Sequence, residues 1–256
     1  MAAKVHQFMC LQDNFGVLVH DPDTGATASM DVPEAAPVLA ALEATGWTLT
    51  DILVTHHHND HIGGIPAVKE KFPNARIVAA KKDEARIPGA DVYVAESERV
   101  KVGNLTARII ETPGHTSGHI GDFFEEDRLL FAGDTLFALG CGLAFEAPPP
   151  VLHQSLQKIA ALPADTQIFC GHEYTLSNAR FSLTVDPENA KLRDRFATIQ
   201  TLRDAGKPTL PTTLAVELET NPFLRPGDAG IRKQLGMANA DDAAVFTELR
   251  ERKNKA

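Results

Sequence analysis

Four of the ten histidines lie within six residues, and this cluster constrains the fold more than any other feature of the sequence. The cluster consists of His56, His57, His58 and His61. It follows residues 51–54, in which Asp51 precedes the apolar run 52–54 typical of a buried strand. A helical pattern begins soon afterwards, so we expect the cluster to occupy a loop between a strand and a helix. Alternate side chains of an extended chain point the same way, so His56 and His58 can bind one metal ion while His57 points away.

Asp60 and His61 come next, where the chain turns into the predicted helix. Because they approach from a different direction, they are suited to bind a second ion close to the first. Gly63 and Gly64 follow after Ile62 and allow the tight turn that this arrangement needs.

Three further polar side chains come at the ends of predicted strands: His115 in T-P-G-H-T, Asp134 in F-A-G-D-T and His172 in C-G-H-E. Enzymes built on sheets gather their sites at strand ends. The whole set offers imidazoles and carboxylates, which suit zinc, iron or manganese, and it contains no thiolate of the kind that closes structural zinc sites. Two such ions can activate water against a carbonyl group, so the pattern indicates a hydrolase.

Short strand-like runs alternate with helical patterns up to residue 172, which predicts a layered α/β domain. The predicted strands are 16–20, 52–55, 75–79, 105–111 and 166–170, with a hairpin at 122–134, and the predicted helices are 34–45 and 151–162. We expect the proline-rich residues 147–150 to interrupt regular structure before the second helix. Beyond Tyr174 strand signals are weak, and residues 187–204 and 240–253 resemble amphipathic helices. We therefore predict a catalytic domain over residues 1–173 and a helical, substrate-binding domain over residues 174–256.

The charge of the chain argues against polyanionic partners. Lys and Arg total 25 against 34 Asp and Glu, which gives 25 − 34 = −9 and a pI near 5.5, so nucleic acid and anionic membranes are not expected partners. The first residues do not resemble a secretion signal, and a cytoplasmic location is expected. Cys10, Cys141 and Cys170 form no C-x-x-C pair and are expected to be reduced thiols.

The spacing H-x-H-x-D-H over residues 56–61, with the later His, Asp and His, resembles the signature of the metallo-β-lactamase superfamily. Within it, the runs T-P-G-H-T, F-A-G-D-T-L-F, G-C-G and G-H-E-Y-T resemble the glyoxalase II (hydroxyacylglutathione hydrolase) family over nearly the whole chain. The resemblance implies an αββα sandwich with a helical C-terminal domain. It also implies hydrolysis of S-D-lactoylglutathione to D-lactate and glutathione, the second step of methylglyoxal detoxification.

The resemblance also implies a role for each polar residue of the pattern. One divalent ion would be bound by His56, His58 and His115, the other by Asp60, His61 and His172, with Asp134 bridging the two. Zinc is the expected metal, with iron and manganese as alternatives. Asp60 and Asp134 are the expected catalytic carboxylates, since Asp60 would also orient the attacking water. His119 belongs to the pattern without being an expected ligand.

Glutathione carries carboxylates, and the resemblance assigns its recognition to Tyr174, Arg250 and Lys253. For the two basic residues the alternative is a solvated helix end whose cations complement the helix dipole. After the G-C-G run the family usually has a lysine or arginine, where this chain has Leu143. The loss of one charge-assisted hydrogen bond weakens binding about tenfold or more.

Other functions stay open at this point. A persulfide dioxygenase-like protein of the same superfamily would use a single iron, and other hydrolases of this type would cleave different acyl thioesters or lactones. A nuclease would need a cationic groove, which the net charge disfavours. A metal-binding protein without catalytic activity is disfavoured by the complete ligand pattern. The expected partner is a small glutathione thioester, and the chain is expected to be a monomer or weak oligomer.

Overall fold

The computed structural model describes residues 1–256, which divide into two compact units. The first unit comprises Met1–Glu111 and Ser117–Gly133, and the second comprises Thr112–Thr116 and Asp134–Ala256. The functional boundary that we predict between residues 173 and 174 is a different division and stays a prediction. No helix is both long enough and apolar enough to span a membrane.

The first unit contains a six-stranded mixed sheet and a four-stranded antiparallel ladder. The sheet has the order β1 (Lys4–Cys10), β2 (Asn14–His20), β3 (Thr27–Met30), β4 (Asp51–Leu53), β5 (Arg76–Ala80) and β6 (Val92–Val94). The ladder consists of β7 (Arg99–Val102), β8 (Leu105–Glu111), β9 (Ile120–Phe124) and β10 (Leu129–Phe131). The helices are α1 (Ala35–Thr45), α2 (Asn59–Ile62) and α3 (Ile65–Lys71), and Lys81–Asp83 form a 3₁₀ turn.

The parallel part of the sheet positions the histidine cluster. Strand β4 lies between β3 and β5, and both pairings are parallel. All three of its residues are buried, as is usual for a strand covered on both faces. Val38 and Leu42 of α1 pack with Ile52 in one apolar cluster, and each such buried side chain stabilises the fold by about 2 kcal/mol. The chain leaves this anchored strand directly into the histidine loop.

The second unit is mainly helical. Its helices are α4 (Pro149–Ala160), α5 (Thr175–Val185), α6 (Ala190–Asp204), α7 (Leu214–Thr220), α8 (Ala229–Leu235) and α9 (Asp242–Asn254), with a 3₁₀ turn at Pro222–Leu224. Two short antiparallel pairs accompany them, formed by β11 (Leu136–Phe137) with β12 (Gly140–Cys141), and by β13 (Gln167–Phe169) with β14 (Thr212–Thr213). An apolar cluster joins α5 and α6: it contains Ala179 of α5, Leu192 and Ile199 of α6, and Leu139.

Two expectations from the sequence need correction. The prolines of residues 147–150 do not all lie outside regular structure, because α4 begins at Pro149. Proline lacks the N–H group that the first helical turn leaves unbonded in any case. The helix predicted over 187–204 begins only at Ala190, since Asn189 caps it by accepting a hydrogen bond from Leu192 N at 3.1 Å. The sequence analysis did not predict strands β1, β3, β6, β7, β11, β12 and β14, because their residues lack a long apolar alternation.

A buried carboxylate organises the second unit. Glu217 on α7 is fully buried and pairs with Arg195. Its oxygens accept hydrogen bonds from Leu139 N at 2.8 Å, Thr212 Oγ1 at 2.8 Å and Asn221 Nδ2 at 3.1 Å. A buried charge with this many partners is stable only while all of them remain.

Glu217→Gln is therefore expected to lower the free energy of unfolding by about 3 kcal/mol, since it leaves the guanidinium of Arg195 without its charged partner. Denaturant unfolding followed by circular dichroism measures the change. Glu219→Gln, on the same helix, is the matched control, because Glu219 is half-exposed and pairs only with exposed Lys191. We expect less than about 1 kcal/mol there. Equal effects of the two substitutions would contradict a structural role for the buried network.

Candidate metal centre

The first set of candidate ligands lies in the loop after β4. His56 is buried and its Nε2 atom is 3.1 Å from Nδ1 of half-buried His58. His57 points the other way, where its Nδ1 lies 3.2 Å from a carboxylate oxygen of buried Asp83. This is the arrangement that strand alternation predicts, with two imidazoles converging and the one between them directed away.

Asp60 and His61 both lie in the short helix α2. Nε2 of His61 is 3.7 Å from Oδ2 of Asp60. Nδ2 of Asn14 donates hydrogen bonds to Oδ2 of Asp60 at 3.2 Å and to its backbone carbonyl at 3.1 Å. The imidazole of His61 also lies against that of His56, with 4.1 Å between ring centroids. The first set therefore presents three imidazoles and one oriented carboxylate.

Asp31 is a further polar residue beside the candidate ligands, and the sequence analysis missed it. Its Oδ2 atom is 2.7 Å from Nδ1 of buried His61, and its two oxygens accept hydrogen bonds from Thr55 N and Thr55 Oγ1, both at 2.8 Å. A carboxylate on one ring nitrogen fixes the other nitrogen as the ligand atom and orients the ring. Asp31 directly follows β3, so the strand-end rule applies to it, but the polar sequence of β3 did not predict a strand.

His119 packs against a histidine of the first set. Its ring stacks on that of His56 with 4.8 Å between centroids. Nδ1 of His56 is in turn 3.0 Å from Oγ1 of Thr55. His119 therefore lies directly beside a candidate ligand, and its expected role outside the set of ligands stays a prediction.

The second set comprises His115, Asp134 and His172, all of them buried. Oδ2 of Asp134 lies 3.5 Å from Nε2 of His115 and 3.3 Å from Nε2 of His172. Nδ1 of His115 lies 3.0 Å from the carbonyl oxygen of Leu143, which directs the opposite nitrogen to Asp134. One carboxylate oxygen is thus shared between two imidazoles.

The three predicted substrate contacts lie in different surroundings. Tyr174 is 38% exposed, and its ring stacks on that of His172 with 4.7 Å between centroids. Tyr174 therefore lies directly against a candidate metal ligand. Lys253 is half-buried, its Nζ donates to Ser177 Oγ at 3.0 Å, and burial lowers the pKa of its ammonium group. Arg250 is 95% buried, since its relative exposure is 5%, so it is not a solvated helix end.

The donor chemistry fits divalent metal ions. Imidazole and carboxylate donors are the ligands that zinc, iron and manganese accept. The three cysteines are free, buried thiols. Burial raises the pKa of Cys10 to about 12 and also raises that of Cys141 and Cys170, so none of them offers a thiolate at neutral pH.

Comparison with known proteins identifies the family. Residues 22–172 match the model of the metallo-β-lactamase superfamily, and residues 173–256 match the model of the hydroxyacylglutathione hydrolase C-terminus. The hydroxyacylglutathione hydrolase of Mesorhizobium japonicum is 56% identical over 254 residues, 99% of each chain. That of Rhodopseudomonas palustris strain BisA53 is 53% identical over 256 residues, 100% of each chain. The chain belongs to the hydroxyacylglutathione hydrolase family.

Solved structures show the same fold. ETHE1 from Myxococcus xanthus superposes with a TM-score of 0.70 at 23% identity, covering 98% of this chain and 91% of that one. The BLEG-1 B3 metallo-β-lactamase superposes with a TM-score of 0.65 at 22% identity, covering 87% of this chain and 100% of that one. The predicted metallo-β-lactamase fold with a helical C-terminal domain is confirmed. The chain is a hydrolase of this family, and its fold together with its His and Asp donors implies divalent metal ions.

Proposed function

We propose that this hydrolase converts S-D-lactoylglutathione and water to D-lactate and glutathione with two divalent ions. The two sets of donors would form one centre, in which His56, His58 and His115 hold one ion, Asp60, His61 and His172 hold the other, and Asp134 is shared. Full-length relatives named hydroxyacylglutathione hydrolase at 56% and 53% identity support the substrate class. Zinc is the proposed metal, and iron or manganese would fit the same donors.

The position of Asp134 is the observation that carries this proposal. Its Oδ2 atom faces His115 and His172 at 3.5 and 3.3 Å, and these two histidines are assigned to different ions. A carboxylate between two metal ligands of this kind suits a bridging role. Both the family pattern and the distances within the second set therefore support a bridging role for Asp134.

When bound, the two ions would lower the pKa of a water molecule and polarise the thioester carbonyl. The chain's own residues would then orient the reactants. Asp60, which is held by Asn14, can accept a hydrogen bond from the attacking water. Tyr174 is exposed beside His172 and can contact the bound glutathione thioester. A thiol has a pKa of about 8.5 and leaves as its anion, so the reaction needs no separate acid residue.

Two further aspects belong to the proposal. We propose a cytoplasmic location, where glutathione thioesters would be available, and a monomer or weak oligomer. The persulfide dioxygenase-like alternative is less well supported, because it uses a single iron and would leave His172, which is assigned to the second ion, without a role.

The direct test is to follow the loss of thioester absorbance of S-D-lactoylglutathione with protein reconstituted separately with zinc, iron or manganese. We expect kcat/KM of about 10⁴ M⁻¹s⁻¹ or more with at least one metal. Other acyl thioesters, lactones and glutathione persulfide, the last assayed by oxygen consumption, serve as competing substrates. Turnover of any of these well above that of lactoylglutathione would contradict the proposed substrate.

Leu143 offers a test of substrate recognition. Its side chain is 38% exposed, and its carbonyl group lies against His115. Leu143→Arg is expected to lower KM for glutathione thioesters about tenfold, because it adds a charge-assisted hydrogen bond to a substrate carboxylate. Val216→Arg makes the same change at a side chain that is 37% exposed on α7, and its KM should not change. An unchanged KM in the Leu143 variant would mean that the substrate carboxylates bind elsewhere.

A further inference from the structure

The segment that follows Asp134 is held by polar side chains from the C-terminal helices. We call residues 136–142 the Asp134 loop. Its carbonyl oxygens accept hydrogen bonds from four side chains: Asn178 (to Ala138 O, 3.1 Å), Ser182 (to Leu139 O, 3.2 Å), Asn221 (to Phe137 O, 3.2 Å, and Gly140 O, 3.0 Å) and Arg250 (to Cys141 O, 2.7 Å, and Gly142 O, 3.3 Å). Leu139 N donates to the carboxylate of Glu217 at 2.8 Å. Leu139 has a φ of 58°, a region that residues other than glycine rarely adopt. These bonds therefore hold the loop in a conformation that its own backbone does not favour.

Arg250 is the charged side chain that contacts the C-terminal end of this loop, at Cys141 and Gly142, just before Leu143. Its Nη1 donates to the carbonyl oxygens of Cys141 and Gly142. Its Nε donates to Oδ1 of Asn254 at 2.9 Å, and its guanidinium carbon lies 5.2 Å from the ring centroid of Phe223. A buried guanidinium bonded to two consecutive carbonyl groups is engaged with the protein itself, and charge-assisted hydrogen bonds of this kind are the strong ones.

The backbone that Arg250 holds touches two of the proposed metal ligands. Gly142 N donates to Thr135 O at 3.2 Å, and a Cβ atom at Gly142 would overlap the carbonyl oxygen of Asp134 and lie 3.2 Å from Nδ1 of His115. The next residue, Leu143, accepts from that same nitrogen. A shift of the backbone at Gly142 would therefore move the imidazole of His115 and the carboxylate of Asp134 together.

We propose that Arg250 is a positioning residue for the metal centre. It fixes the backbone at Cys141 and Gly142, and through that backbone it fixes His115 and Asp134. The family resemblance assigns Arg250 to the substrate, whereas the structure buries it and bonds it to the carbonyl groups of Cys141 and Gly142. This inference rests on the proposed function for the identity of those ligands.

The test compares Arg250→Met, Arg250→Lys and Arg252→Met. Arg252 lies on the same helix with a side chain that is 43% exposed and pairs with Glu248, so it is the matched control. Zinc affinity of the metal-free proteins is measured by competition with a chromophoric chelator, and kcat and KM are measured with S-D-lactoylglutathione. We expect Arg250→Met to weaken zinc binding by about 10- to 100-fold and to lower kcat more than it raises KM. Arg250→Lys should recover part of both losses, and the control should change neither.

Hydrogen exchange of the metal-free variants separates local from global effects. For Arg250→Lys we expect faster exchange that is confined to residues 136–143. This variant keeps a buried cation, so it should still fold if Arg250→Met does not. Unchanged zinc affinity and kcat with a KM raised tenfold or more would overturn the inference, because that is the signature of a substrate contact.

The zinc measurement needs no substrate, so the two proposals can fail separately. If the parent chain hydrolyses no glutathione thioester while Arg250→Met weakens zinc binding, the proposed function is wrong and the positioning role holds. If the parent chain is active and zinc binding is insensitive to Arg250, the positioning role is wrong and the proposed function holds.

Discussion

Replacing Asp134 by alanine is expected to reduce kcat/KM for S-D-lactoylglutathione by about 10³-fold or more and to reduce the bound metal from two ions per chain to one or fewer. The reason is the position of Oδ2, which faces both His115 and His172. Removing this carboxylate would separate the two halves of the proposed centre and leave their positive charges unscreened.

Metal content is measured by plasma emission spectrometry after removal of loosely bound ions, and activity is measured on the same samples. Asp204→Ala, which removes an exposed carboxylate at the end of α6, should keep both metals and full activity. The fold of the Asp134 variant should be largely retained, as judged by circular dichroism. A fully active Asp134→Ala variant with two bound ions would rule out the bridging role.

The second large effect concerns Asp122, a buried acid on β9. It is 1% exposed, and neither of its carboxylate oxygens has a hydrogen-bond partner. Burial, with a smaller contribution from the negative charge of Asp31, raises the pKa of Asp122 to about 8 from an ordinary value of 3.8. Asp122 is therefore protonated in the folded chain at neutral pH.

The direction of the pH effect follows from proton linkage. Between pH 4 and pH 8 the folded chain keeps the proton on Asp122 that the unfolded chain has lost, so the free energy of unfolding falls as the pH rises through this window. Each unit corresponds to about 1.4 kcal/mol, so the loss from pH 5 to pH 8 is on the order of 4 kcal/mol. Asp122→Asn cannot ionise and should not show this loss.

We therefore expect the stability of Asp122→Asn relative to the parent chain to increase by several kcal/mol between pH 5 and pH 9. Urea unfolding of both proteins at a series of pH values, in the presence of a chelator, measures the difference in their free energies of unfolding. The titration of all other groups cancels in this difference. Glu126→Gln removes an exposed carboxyl group from the turn of the same hairpin and should show no such slope. A relative stability of Asp122→Asn that does not depend on pH would mean that Asp122 ionises normally in the folded chain.

Much of the site could be predicted because its signals are local. The alternation of an extended chain separates His56 and His58 from His57, and the structure shows the same separation. The strand predicted at 105–111 has those ends in the structure, where it is β8. The metal-ligand spacing and the family motifs are likewise read from neighbouring residues, so they led directly to a metal-dependent hydrolase.

The sequence by itself therefore identified the family, and it predicted the candidate donor residues and their positions at strand ends. Only the tertiary structure decided which groups hold those donors in place. Asp31 and His61 are 30 residues apart, and Arg250 and Cys141 are 109 residues apart, so no local periodicity connects either pair. Arg250 shows the difference most clearly, since a basic residue near the end of a helix resembles a solvated or ligand-binding cation until the fold buries it against backbone carbonyl groups. The physical reason is that burial and long-range hydrogen bonds are set by packing, which a pattern of neighbouring residues does not encode.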